Sequence, residues 1–150
     1  MRIAVGSDEK NDLTDALVDD LRSRGHELLL YGPLTEGDPD VDWPQTSAHV
    51  AEAVARGRAE QGVVCCWTGT GATIAANKVA GIRAALCHDA ETAKGARVWN
   101  HANVLALSLR TTSRAIAKEI LDAWFSTPVS DDEWNLRQID RVRALESKAR

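Results

Sequence analysis

The sequence predicts a Rossmann-like α/β fold, a three-layer αβα sandwich with five parallel strands in the order 2-1-3-4-5 and an extra carboxyl-terminal helix. Two observations carry this expectation. Short apolar runs of strand length alternate five times with segments whose apolar residues recur at helical spacing. The run Gly62-Val63-Val64-Cys65-Cys66-Trp67 is apolar throughout, as a strand covered on both faces must be. Parallel strands joined through helices cross over right-handedly, which places helices on both faces of the sheet.

Taken in order, Ile3-Ala4-Val5-Gly6 is a strand, and Leu13, Ala16, Leu17 and Leu21 mark a helix that Gly25 stops. Glu27 to Tyr31 is the second strand. Gly32 to Pro44 carries three prolines and two glycines by this reading and is expected as a loop of functional length. A helix over 47–58 follows, with Val50 and Val54 on an alanine-rich face, and leads into the central strand 62–67. A short helix over 72–79, a strand over 82–87, a helix over 90–99 and a strand over 104–108 continue the alternation. Ser113 caps a helix through Phe125, with Ile116, Ile120, Leu121 and Trp124 on one face, and 131–148 form the charged final helix.

The 150 residues suit one domain spanning 1–150, long enough for a sizeable core. A hydrophobic fraction of 44% and a charged fraction of 27% are those of an ordinary soluble fold. A net charge of -4, with scattered Lys and Arg, provides no field for gathering nucleic acid. The chain enters strand pattern at once, with no apolar signal core and no membrane-length run, so no membrane partner and a cytoplasmic location are expected. Cys65, Cys66 and Cys87 are odd in number and wrongly spaced for a disulfide framework or a zinc site, and read as reduced thiols with no metal.

In an open parallel sheet, ligands bind beyond the carboxyl ends of the strands where strand order reverses. Ser7-Asp8-Glu9 after the first strand should therefore meet Cys66-Trp67-Thr68-Gly69-Thr70-Gly71 after the third. The glycines Gly69 and Gly71 permit a tight turn whose amides point inward as a helix begins, an arrangement that holds a developing oxyanion and favours a thiolate nearby. On residue type alone, Cys66 reads equally as a proton carrier and as a small core residue. Cys65 faces the opposite side of the strand, and both it and Cys87 read as packing residues. Asp8 reads as a general base, as a residue orienting a substrate hydroxyl or as a helix cap. His101 is a loop imidazole able to exchange protons near neutral pH or simply to sit in solvent. His26 and His49 are expected on the exposed surface, and His88 at a strand end.

The sequence Thr68-Gly69-Thr70-Gly71, then Ile74-Ala75-Ala76-Asn77-Lys78-Val79, then Gly81 to Asp89, Asn100, Ala102 to Leu107 and Arg110, resembles the type B ribose-5-phosphate isomerase and galactose-6-phosphate isomerase family. Gly6-Ser7-Asp8 and Val41-Asp42 extend the resemblance to nearly the whole chain. It implies an aldose–ketose interconversion through a cis-enediol, with no metal or organic cofactor. It further implies that Cys66 moves the proton and that the turn from Trp67 through Thr70 to Gly71 holds the substrate oxygen. Asp8 and Thr68 fall at positions that assist ring opening, and Asn100 at one that contacts substrate hydroxyls. Sites shared between subunits imply a homodimer, or two such dimers paired in a tetramer, with the segment from Trp99 to Arg110 serving the neighbour's Cys66.

The departures bear on the substrate. Glu9 stands where the family places a phosphate-binding histidine, and a carboxylate repels phosphate. Trp99 replaces the ring-opening histidine and cannot transfer protons, leaving His101, two positions on, to restore acid–base function. Trp134-Asn135-Leu136-Arg137-Gln138 aligns with a pair of phosphate-binding arginines but keeps only Arg137, shifted by one place. Trp67 fills a glycine position and Trp43 a tyrosine position. Four of the five tryptophans thus gather around the expected pocket, which becomes narrower and less cationic. Three functions are compatible with this pattern: an isomerase of a sugar or sugar derivative that has lost the usual phosphate clamp, an isomerase of a phosphorylated pentose or tetrose held by Arg110 and Arg137, and a non-catalytic binder of a small ligand.

Overall fold

The computed structural model describes residues 1–148. The chain runs β1 (Arg2–Ser7), α1 (Asp12–Ser23), β2 (Glu27–Tyr31), a 3-10 turn (Gly32–Leu34), α2 (Trp43–Ala55), β3 (Gln61–Cys66) and α3 (Thr70–Ala76). It continues through β4 (Ala84–Leu86), α4 (Ala90–Asn100), β5 (Val104–Ser108), α5 (Arg114–Ser126) and α6 (Glu133–Lys148). All strand pairings are parallel. The α/β sandwich expected from the sequence is the fold observed.

The period of two along each strand divides the core. Ile3, Val5, Val63, Cys65, Leu105 and Leu107 face a layer that includes Leu17 and Leu21 of α1, Ala93 of α4, and Ile120 and Trp124 of α5. Ala4, Val64, Cys66, Val104 and Ala106 face the other way, against Val50 and Ala53 of α2 and Ala72 and Ala76 of α3. The fully buried Trp124 satisfies its indole N–H on Gln61 Oε1 at 2.6 Å.

The strand order is β2-β1-β3-β5-β4, which corrects the expected 2-1-3-4-5. β5 lies between β3 and β4, pairing Val63 with Leu105 and Ala85 with Leu105. Burial explains the exchange. All five residues of β5 are buried, so it requires partners on both sides, whereas β4 has three half-buried residues and suits an edge. The order still reverses between β1 and β3, so the switch point remains where the sequence placed it.

The second difference concerns α2, which begins at Trp43 rather than at Ser47. Pro44 sits in its first turn, where a missing N–H costs nothing and the fixed φ already suits a helix. At the chain's start, α1 is capped by Asn11, whose side chain accepts from the amides of Leu13 and Thr14 while Thr14 Oγ1 accepts from the Asn11 amide. Asp8 therefore has no capping duty.

Candidate active site

β1 and β3 run in register with Ser7 beside Cys65, which brings Asp8 and Cys66 to the same end of neighbouring strands. Cys66 is 5% exposed, and its sulfur accepts the Ala72 amide at 3.4 Å. The strand ends because the chain turns sharply: the Gly69 amide returns to the Cys66 carbonyl at 3.2 Å, and Gly69 adopts a left-handed φ of 77°. A Cβ there would lie 2.5 Å from Leu86 Cδ1 and 3.0 Å from the Leu107 carbonyl carbon, so both conformation and space require glycine.

The turn opens α3, and the first amides of a helix have no partner within it. Ala72 N–H is used on the thiol and Thr73 N–H on the Gly69 carbonyl, while those of Thr70 and Gly71 meet no acceptor among the described residues. Two free donors thus stand next to the one that engages sulfur. The hydroxyls of Thr68 and Thr70 bond to each other at 2.7 Å above the turn. β5 braces it from the other side: Leu109 N–H donates to the Cys66 carbonyl at 3.0 Å, and Arg110 N–H and Ser108 Oγ donate to the Trp67 carbonyl at 2.9 and 3.0 Å. Ser108 was not foreseen from the sequence. Its signal lay in its place at the end of a buried apolar strand beside the third.

Burial, aided by the charges of Glu9 and Asp42, raises the carboxyl of Asp8 above its ordinary range. Asp8 also contributes to the environment of Cys65, whose thiol is pushed up to about 12, mainly by complete burial. Cys87 is likewise pushed up to about 12 by burial. Both remain protonated packing residues, and among the described residues no three His, Cys, Asp or Glu side chains are grouped to hold a metal.

Two aromatic side chains stand at the same end of the sheet as the thiol. Trp67, 57% exposed, directly follows Cys66, and the ring of Trp43 lies on Gly71, with three ring carbons 3.1 to 3.3 Å from where a Cβ would be. Asp8, Glu9, Trp43, Cys66, Trp67, Thr68, Gly69, Thr70, Gly71 and Arg110 thus gather at one end of the sheet.

Trp99, Asn100 and His101 do not join them. α4 runs back against the strands, so these residues lie at the amino end, where the Gly62 amide bonds the Asn103 carbonyl. Gly62 precedes Cys66 by four residues, about 13 Å along the strand at about 3.3 Å per residue. The expected segment from Trp99 to Arg110 is therefore divided, with Arg110 beside its own subunit's Trp67.

The distal segment is firmly held. His101 ends α4 with a left-handed φ of 49°, and its Nε2 bonds the Ser130 carbonyl at 2.8 Å. A carbonyl only accepts, so Nε2 carries the proton. Arg83 Nε donates to the His101 carbonyl at 3.0 Å, and Asn103 accepts from Arg83 N–H at 2.8 Å while donating to the Gly81 carbonyl at 2.9 Å. Asn135 Nδ2 reaches the Val98 carbonyl at 3.4 Å, tying α6 to this segment. Trp134 and Arg137 are exposed on α6, with Arg137 3.7 Å from Glu133. Trp99 and Asn100 line a groove of about 770 Å³ along the edge strand β4, together with Leu86, Ile139 and Leu145.

Of the other histidines, His26 departs from the expected surface position: both ring nitrogens are buried without a partner, and the ring packs on Phe125 at 4.7 Å. His49 stands 3.5 Å from Asp40, and His88 is exposed beside Asp89.

A thiol, a carboxylate and free amides at the switch point of a five-stranded parallel sheet make a candidate small-molecule site of the α/β type. The chain belongs to the ribose/galactose isomerase family, whose model matches residues 3–145. It is 38% identical to the D-erythrulose-4-phosphate isomerase of Pectobacterium atrosepticum over 83% of this chain and 82% of that one. It is 36% identical to ribose-5-phosphate isomerase B of Escherichia coli over 98% and 97% of the two chains. The structure of Clostridium thermocellum ribose-5-phosphate isomerase B superposes with a TM-score of 0.91 at 36% identity, covering both chains completely. The chain is thus a sugar-phosphate isomerase family member. No helix among the described residues is long and apolar enough to cross a membrane.

Proposed function

We propose that the protein is an aldose–ketose isomerase acting on a sugar phosphate through a cis-enediol, with Cys66 carrying the proton. The observation that carries this reading is the junction at the end of β3, where one amide engages the thiol and the two before it meet no acceptor among the described residues. A thiolate at Cys66 removes the proton from the carbon beside the substrate carbonyl and returns it to the adjacent carbon. The amides of Thr70 and Gly71 meet the oxygen that gains charge as the enediolate forms, a stabilisation stronger in the transition state than in the ground state. Asp8, raised by burial, and Thr68 shuttle the hydroxyl proton between neighbouring oxygens. The resident chemistry needs no cofactor.

The distal residues enter through a second copy of the chain. Trp99, Asn100, His101, Trp134 and Arg137 lie together at the wrong end of the sheet for their own Cys66. The groove beside β4 leaves Trp99, Val142 and Leu145 exposed. In a homodimer, or a pair of such dimers, these residues complete the partner's site, with Arg110 and Arg137 as the phosphate cations. His101 is committed to the Ser130 carbonyl and acts there as an acid only after that bond opens.

A second reading, a non-catalytic binder of a small ligand, is favoured by the commitment of His101 to the Ser130 carbonyl at the far end of the sheet. Proton NMR in heavy water distinguishes the two. Incubation with free and phosphorylated three- to six-carbon sugars is expected to wash deuterium into one phosphosugar and yield its isomer. Absence of exchange across the panel favours the binder.

A further inference from the structure

We propose that Trp43, seated on Gly71, sets the length of sugar phosphate that the Cys66 site accepts and favours short chains over six-carbon ones. The inference rests on the isomerase reading above and adds the size class of its substrate.

Gly71 immediately precedes Ala72, whose amide is on the Cys66 sulfur. The space a Cβ would fill at Gly71 is taken by Cδ2, Cε3 and Cζ3 of Trp43, at 3.1, 3.1 and 3.3 Å. One face of the indole is therefore fixed against the turn that carries the thiol's donor, and with 41% of the residue exposed the ring keeps a free surface. The perch is rigid. Trp43 opens α2, Pro44 fixes its own φ and restricts Trp43 before it, Thr46 N–H closes on the Asp42 carbonyl at 3.0 Å, and Thr46 Oγ1 donates to the Asp40 carbonyl at 3.0 Å. A Cβ on Gly6 of β1 would lie 2.8 Å from Thr46 Cγ2, so the first turn of α2, which carries the ring, stands over the β1 side of the site.

The charges give the substrate a direction. Asp8 and Glu9 follow β1, and their carboxylates repel a phosphate, whereas Arg110 follows β5 and has its amide on the Trp67 carbonyl at 2.9 Å. A substrate with its reacting carbons at Cys66 thus has the indole wall on one side and its phosphate toward the arginine on the other. The span between wall and cation acts as a ruler, and a bulky indole shortens it. Gly71 is the positioning residue, because any side chain there lifts the ring from its seat.

The test is kcat/KM for four-, five- and six-carbon aldose phosphates with the wild type, Trp43→Phe, Trp43→Ala, Gly71→Ala and the Trp43→Ala/Gly71→Ala double variant. The wild type is expected to prefer the shortest chain. Trp43→Ala should shift the six- to four-carbon ratio by tenfold or more toward six carbons, and Gly71→Ala should shift it in the same direction. The double variant should shift it no further than Trp43→Ala, since the glycine acts through the ring. Trp43→Phe should lie between and supplies the reading if the alanine variant fails to fold. An equal loss on all three lengths, the mark of a structural role, overturns the proposal. If the wild type isomerises none of them, the isomerase reading fails separately, and thermal protection by the same phosphosugars reads length preference. Protection by the shortest, lost in Trp43→Phe, then supports the ruler, and equal or absent protection overturns it.

Discussion

The amide of Ala72 points at the sulfur of Cys66 across 3.4 Å, at the junction where β3 gives way to α3. A helix start thereby spends one of its unpaired donors on a thiol and leaves those of Thr70 and Gly71 without an acceptor among the described residues. The geometry depends on the turn between them, and the predictions below begin there.

Gly69→Ala should destabilise the protein by about 1–3 kcal/mol, the scale of a non-glycine residue forced into a sparsely populated backbone region. Its φ of 77° is unfavourable for alanine, and the new methyl would meet the Leu107 main chain, which cannot move aside without disturbing β5. A lower urea midpoint with unchanged slope is the expected result.

Asp8→Asn should raise stability at neutral pH while lowering turnover. The folded-state carboxyl is raised, mainly by burial, so its protonated form is the one the fold prefers. Its favourable contribution is present below the ordinary value of 3.8 and is lost as pH rises through the higher folded value. The neutral amide escapes that loss. Urea unfolding should show the variant ahead at pH 7 and the two proteins converging in acid, while kcat/KM falls by about 10²-fold or more if the carboxylate transfers a proton.

His26→Phe should flatten the acid side of the stability profile. Burial lowers the His26 pKa below its ordinary 6.5, aided by the charges of the amino terminus and Arg24. Neutral imidazole is the folded form, so stability is complete above 6.5 and declines as pH falls from there toward the folded value. The difference in urea midpoint between wild type and variant, followed from pH 7.5 to about 5, should move steadily in favour of the variant.

Gly95→Ala tests the proposal that the Trp99 end of the molecule completes a partner's site. Alanine in a helix interior is ordinarily worth about 1 kcal/mol over glycine. Here its methyl would lie 2.9 Å from Trp99 Cζ3, so the ring must swing from the wall of the β4 groove. Trp99 is 61% exposed and can move, and the expected outcome is a protein of equal or higher melting temperature with altered indole fluorescence and weakened dimerisation by analytical ultracentrifugation.

Much of this arrangement could be read from the residues. Alternating periodicity gave the layers, and the period of two correctly sent Cys65 and Cys66 to opposite faces. The switch point followed from a reversal between β1 and β3 that holds in either strand order. What escaped was non-local. β5 displaced β4 from the sheet interior because a three-residue strand cannot occupy a central position as well as a fully buried five-residue one, a comparison between segments that local pattern does not make. Pro44 resembled a loop residue because its cost in a helix vanishes only in the first turn. The clamp of Arg83 and Asn103 on the His101 turn joins residues about twenty apart through a main-chain amide and a main-chain carbonyl, which carry no sequence signal.

The central claim is that Cys66 moves the substrate proton, and its most direct measurement is deuterium incorporation from heavy water into the isomerised sugar phosphate by Cys66→Ala, followed by proton NMR beside the wild type. The account predicts a folded variant that still binds the phosphosugar but incorporates deuterium and isomerises at least about 10³-fold more slowly, as removal of a positioned proton-transfer group does. Exchange and turnover at the wild-type rate in Cys66→Ala would contradict it.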